Sequence, residues 1–192
     1  MKKTLLIALL LIPFLGFSQT IKPIDGFLGI KFGSSKVVVL AAIEAKGGTL
    51  NKDNSKPDMF YFENVKLGHR EAAALLVRFV NDKCYQAQYF FTTDVEAKVI
   101  VYYNDLVKDF NDVYGQGNTI RNFTQPYQEG DGNELLGLSA GKIDFRTLWV
   151  DNNKNYIKVS INTSMQVVVN YIYESIAVEA RAKEKAQEKS DY

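Results

Sequence analysis

Few side chains in this chain of 192 residues could carry a reaction, and their spacing limits what each could do. His69 is the only histidine and lies in Gly68-His69-Arg70. Alone, it builds neither a histidine metal cluster nor a nucleophile–base relay, so it reads as a turn residue. Cys84, the only cysteine, opens a stretch of alternating residues. A nucleophilic thiol needs a base and a thiolate-stabilising site, whereas a small strand residue needs neither. Asp144 and Asp151 share one extended stretch and would stand about 20 Å apart at the strand rise, too far for a carboxylate pair. Glu129, Asp131 and Glu134 gather with Gly130 and Gly132, but off the ligand positions of a calcium-binding loop. What they could serve is a carboxylate-only hydrolytic site, since glycoside hydrolysis needs two acids at a defined separation. Gly26-Phe27-Leu28-Gly29 and Gly115-Gln116-Gly117 lack the glycine series and lysine that cradle phosphate. No metal and no cofactor are expected.

Binding is better supplied than catalysis. In residues 84–91 Tyr85, Ala87, Tyr89 and Phe91 alternate with Cys84, Gln86 and Gln88, the pattern of a strand with one buried and one wet face. Towards the C-terminus Phe145, Trp149, Ile157, Val159, Ile161, Val167, Val169 and Tyr171 mark inward faces. Arg146, Lys158, Ser160, Gln166 and Asn170 fall opposite them. Gln86, Gln88, Arg146, Lys158, Gln166 and Asn170 thus make a candidate polar sheet face. Tyr102 and Tyr103, like Tyr85, Tyr89 and Tyr171, belong to expected cores. Tyr127 does not: it sits near Phe123 in a long Gly-, Asn- and Gln-rich connection, residues 116–140, as a candidate contact residue.

The elements that must hold these residues follow from periodicity and punctuation. After an extended opening segment, Ser34 or Ser35 caps a helix ended by Gly47-Gly48. Strands are expected at 59–67, 73–80 and 84–91, with a tight turn at Asn81-Asp82-Lys83. Thr93 or Asp94 caps a second helix, on which Val99, Tyr103, Leu106, Phe110 and Val113 form one apolar stripe up to Gly115. Strands at 142–151, 156–162 and 165–173 complete a single α+β domain over 19–176. The order is helix, three strands, helix, three strands, suggesting a duplicated unit with halves 33–92 and 93–175. The expected architecture has two layers, an antiparallel sheet with two helices on one face. Residues 177–192 are alanine and alternating charge, read as a solvated helix fraying into a disordered tail.

The chain opens with Lys2 and Lys3, an apolar run from Leu5 to Phe17 interrupted by Pro13, then Ser18. This is the form of a secretory signal peptide over residues 1–18, too short to span a bilayer. Gln19, not cysteine, follows the expected cut, so the lipoprotein route is closed and no membrane anchor survives cleavage. Lys and Arg total 23 against 22 acids, and losing two lysines turns the balance slightly acidic. That speaks against nucleic acid as a partner. The expected location is the periplasm or the exterior of a Gram-negative bacterium.

The stretch Gly26-Phe27-Leu28-Gly29-Ile30-Lys31-Phe32-Gly33-Ser34-Ser35-Lys36 resembles the opening of small secreted proteins of Bacteroidetes-type bacteria. A short capped helix followed by a β-meander is also similar to outer-membrane assembly lipoproteins of the SmpA/BamE type, and duplicated versions resemble the β-lactamase inhibitor protein. The lipid-bearing cysteine of the SmpA/BamE pattern is missing here. The resemblance implies a fold that acts by binding and carries over no catalytic residue. The expectation is a non-enzymatic exported binding or envelope-accessory module with a protein or envelope component as partner. The alternative is a periplasmic hydrolase using the acids of 116–140.

Overall fold

The computed structural model describes residues 22–190, so the signal-like segment 1–18 lies outside the described residues. A short hairpin, β1 (Gly26–Phe27) and β2 (Ile30–Lys31), leads into α1 (Lys36–Glu44), whose first turn is capped by the Ser35 hydroxyl accepting from Val38 N. Then come β3 (Thr49–Leu50), β4 (Met59–Glu63), a side hairpin of β5 (Val65–Leu67) and β6 (Arg70–Ala72), β7 (Ala74–Val80) and β8 (Lys83–Phe91). A 3-10 turn over Glu96–Lys98 delays the second helix, α2 (Val99–Tyr114), beyond the Thr93 or Asp94 start. The remainder is β9 (Asn118–Phe123), α3 (Glu134–Ser139), β10 (Ile143–Val150), β11 (Tyr156–Ile161), β12 (Val167–Ile172) and α4 (Glu174–Ser190).

The fold is α+β around one eight-stranded sheet ordered β3-β4-β7-β8-β12-β11-β10-β9. Every pairing in it is antiparallel. Two four-stranded meanders meet at the centre, where β8 pairs with β12, and each meander follows a helix. The expected order of three strands per helix is thus incomplete. Each half carries an additional outer strand, and Asn64, at φ 58, turns the chain out of the sheet to make the β5–β6 hairpin from the far end of the expected 59–67 strand. The connection 116–140 is not structureless either: Thr119 and Phe123 take up the inward alternation and form β9, and Leu138 anchors α3 to the core.

One face of the sheet carries the main core. Val39 and Ile43 of α1 and Val99, Tyr103, Leu106 and Phe110 of α2 share a cluster with Leu75, Val77, Ala87, Tyr89, Phe145, Trp149, Val159, Val169 and Tyr171. Trp149 is fully buried, and its indole N–H donates to Gly115 O at 2.8 Å. Gly117 permits that packing, since a Cβ there would stand 2.6 Å from Trp149 Cε2. The Thr147 hydroxyl bonds to Tyr103 Oη at 2.6 Å and Thr119 Oγ1 at 2.9 Å, tying α2, β10 and β9 together. Tyr89 is the exception: its hydroxyl is buried and has no hydrogen-bond partner among the described residues. Tyr89→Phe removes an unsatisfied group and keeps the ring, so it is expected to leave stability unchanged or raise it by about 1 kcal/mol in urea unfolding. A loss above about 1 kcal/mol would mean that the hydroxyl has a partner.

A β-bulge corrects the expected alternation of β8. Arg78 pairs with Gln86, but Phe79 pairs with Cys84, leaving Tyr85 as the added residue. Past the bulge Cys84 turns into the main core, while Tyr85 joins a second cluster with Val80, Ile172, Ala177 and Ala180. That second cluster overturns another expectation. Residues 177 onward are not a fully solvated tail, because α4 docks Ala177 and Ala180 against β7 and β8, with Tyr156 packed alongside. Ile176 packs beside them, and from Arg181 to Lys189 the helix is exposed and mostly charged, as the composition implies.

Asp151 joins three segments that are distant in sequence. Its carboxylate accepts from Ile24 N at 3.0 Å, Asn153 N at 2.8 Å, Asn155 N at 2.9 Å and Asn155 Nδ2 at 3.2 Å. Asn155 Oδ1 in turn accepts from Glu174 N, the first residue of α4. One buried carboxylate therefore closes the β10–β11 turn, holds the N-terminal segment and, through Asn155, fixes where α4 begins.

Candidate functional site

The reactive candidates do not converge. Cys84 is fully buried, and desolvation pushes its thiol up to about 12, so it stays protonated at neutral pH. His69 is exposed at the tip of the β5–β6 hairpin. Asp131 accepts from Gln128 N and Asn133 N, and these backbone donors hold its carboxyl below the usual value on a fully exposed side chain. Glu134 accepts from Gly130 N, and Glu129 lies 3.6 Å from Arg121. The three acids are thus engaged in shaping their own loop. No group of three potential metal-ligating side chains occurs among the described residues.

The binding candidates fare differently from one another. Cross-strand register gathers Gln88, Asn170 and Lys158 into one row, because Gln88 pairs with Asn170 and Asn170 with Lys158. Gln86 lies one row away and donates from Nε2 to Asn170 Oδ1 at 2.9 Å. Arg146 stands opposite Ser160 and pairs with Asp144 at 2.9 Å. All five belong to the face opposite the main core. Gln166 lies in the turn before β12, where its N–H donates to Asn162 Oδ1 and its Oε1 accepts from Asn162 Nδ2. Tyr127 is not with this group. It is half-buried on the other side, against the main core beside Gly137.

Apolar residues on the same face were not singled out in the sequence. Leu76 pairs with Gln88, Leu148 with Lys158, Ile120 with Arg146, and Phe90 with Val168. None of these apolar side chains belongs to either core cluster, and all but the buried Val168 are half-exposed. The signal was present in β8, where Phe90 takes a position that alternation assigns to the wet face. The open face is therefore a mixed surface, with leucine, isoleucine and phenylalanine set among glutamine, asparagine, lysine and arginine. Among the described residues, α4 covers one end of this face, over β7 and β8 and reaching Ile172 of β12 and Tyr156 of β11.

One cavity of about 300 Å³ lies beside α4, lined by Arg78, Tyr85 and Ala180, and two others, of about 360 and 190 Å³, lie on the helix side. Of these two, the first sits beneath β1–β2 and the second between the β5–β6 hairpin and α2, and both reach Tyr114 and Tyr171. Arg70 closes the second, bonded to Asp109 at 2.8 Å and held over the Tyr102 ring. The second is smaller than an ordinary ligand pocket, and the first lies at the small end of that range. No helix among the described residues is long and apolar enough to cross a membrane. No protein-family model matches the chain, and no curated protein or solved structure matches it.

Proposed function

We propose that this chain is an exported, non-enzymatic binding module that engages a protein of the cell envelope through the open face of its sheet. The observation that carries the reading is the composition of that face. An apolar set, Leu76, Phe90, Leu148 and Ile120, is interleaved with the half-exposed Gln86, Gln88, Arg146 and Lys158 around the buried Asn170, and among the described residues only α4 packs over one end of it. Apolar side chains within a hydrogen-bonding surround are the anatomy of a protein interface. The near-neutral charge balance and the signal-like opening support an exported protein that does not bind nucleic acid. Two helix-plus-meander halves joined at β8 and β12 support the duplicated unit, and with it a resemblance to folds that act by binding.

The test is affinity capture from envelope extract on the immobilised protein, beside a Gln88→Glu, Lys158→Glu double variant. Both side chains are half-exposed on the open face, so the variant's melting temperature should stay within about 3 °C of the parent, as for a surface change. A partner held by the parent and reduced tenfold or more by the variant is the expected result. An equal yield from both, or turnover of generic ester or glycan substrates lost on changing Glu129 or Glu134, would sink the reading.

A further inference from the structure

A sheet edge exposes a row of peptide groups with which another strand can pair. The two edges of this sheet differ. One is β3, with only two residues. The other is β9, with six, free of proline and in unbroken register against β10. Thr124 N donates to Lys142 O, and Asp151 N to Asn155 O. Both bonds set the same antiparallel alternation: Asn118, Ile120 and Asn122 direct their peptide groups to β10. Those of Thr119, Arg121 and Phe123 point away from the sheet, and their N–H groups have no acceptor among the described residues.

Natural edges are guarded by charge, proline, bulges or a covering element. Here the single charge is turned aside. The Arg121 guanidinium lies 4.8 Å from the Phe145 ring centre, pairs with Glu129 and donates to Asn104 Oδ1, all on the helix side of the strand. Asn118, Thr119, Arg121 and Asn122 are exposed.

We propose that β9 pairs antiparallel with β9 of a second copy about a two-fold axis through Ile120. An axis normal to the sheet keeps each residue on its own face, so it must pass through a residue rather than between two. An axis at Arg121 would set the two arginines opposite each other and Ile120 against Asn122, and like charges directly opposite are destabilising. At Ile120 the strand complements itself. Ile120 meets its own copy on the open face, Asn118 meets Asn122, and Thr119 meets Arg121, whose guanidinium stays over Phe145. The outward peptide groups of Thr119 and Arg121 then exchange hydrogen bonds across the axis. The pairing rests on the edge alone and does not depend on what the open face binds.

The experiment combines solution mass with register-specific cross-linking of the purified protein. Light scattering is expected to give twice the chain mass, falling towards the chain mass on dilution. Ile120→Lys should hold the chain mass at every concentration. Ile120→Cys should form an intermolecular disulfide on mild oxidation, because side chains in a non-hydrogen-bonded pair have Cβ atoms only about 4.5–5.5 Å apart. Asn118→Cys, on the same face but off the axis, should cross-link at least tenfold more slowly. Cys84 is fully buried and does not compete. A chain mass at all concentrations overturns the proposal, and so does a doubled mass that survives Ile120→Lys. Faster cross-linking at Asn118 than at Ile120 would also overturn it, by showing another register. An edge that instead takes a peptide strand of another protein would leave the isolated chain at its own mass.

Discussion

Asp151→Ala is expected to cost about 3–5 kcal/mol of unfolding free energy, because it strands several buried donors at once. Ile24 N, Asn153 N, Asn155 N and Asn155 Nδ2 all lose their acceptor, and the Asn155 side chain that receives Glu174 N loses its own support. A domain of ordinary stability holds only about 5–15 kcal/mol, so the variant should be partly unfolded at modest urea concentration. Asp151→Asn keeps one acceptor oxygen and should fall between the two. Amide exchange offers a second readout: the first turn of α4 should lose protection before the central strands do, since its anchor is the affected one. A urea midpoint for Asp151→Ala indistinguishable from the parent would refute the hub.

A steep loss of stability above about pH 10 is the second large effect. Burial raises the phenols of Tyr89 and Tyr171 well above their ordinary value of 10.0, and for Tyr171 nearby tyrosines add to the shift. The sign follows from proton counting. Once the pH passes the unfolded value, the unfolded chain sheds protons that the folded chain keeps, so deprotonation favours unfolding. The stabilisation is complete below about pH 10 and falls with rising pH, by about 1.4 kcal/mol per pH unit for each such tyrosine. Phenolate absorbance from these two residues should therefore appear together with the loss of near-ultraviolet circular dichroism. Tyr89→Phe should move that transition to higher pH. A smooth phenolate titration centred near pH 10, with the fold intact, would contradict the burial of both rings.

Much of the fold was legible because local patterns carry it. The strands expected at 142–151, 156–162 and 165–173 match the observed ones to within two residues at each end, and the apolar stripe of α2 is the one that packs. Turn chemistry was equally plain: Asn81 and Asp82 have φ of 48 and 60, the paired positive values a two-residue hairpin turn needs. Of the candidate site, the row Gln88–Asn170–Lys158 follows from alternation once the strands pair in register. Tyr127 went the other way. Its loop residues look solvent-facing in sequence, yet Gly137 leaves room for the ring against the core. Leu76, Phe90, Leu148 and Ile120 were overlooked because single apolar residues on a wet face are ordinary until register sets them side by side.

The α+β class, the antiparallel strands and the inward faces of the long strands are thus properties of short windows of residues, since one or two turns of backbone decide which side of an element is apolar. The bulge at Tyr85, the docking of α4, the Asp151 hub and the open β9 edge have no such local signature. Each depends on what another segment, tens of residues away, brings to the same place. Ala177 and Ala180 are too small to announce a docking face, and they become one only because the bulge turns Tyr85 towards them beside Val80 and Ile172. Asp151 is a turn aspartate until Ile24 and Asn155 arrive with their N–H groups. A sequence window records which residues must leave water; the chain's return across the sheet decides against what they are buried.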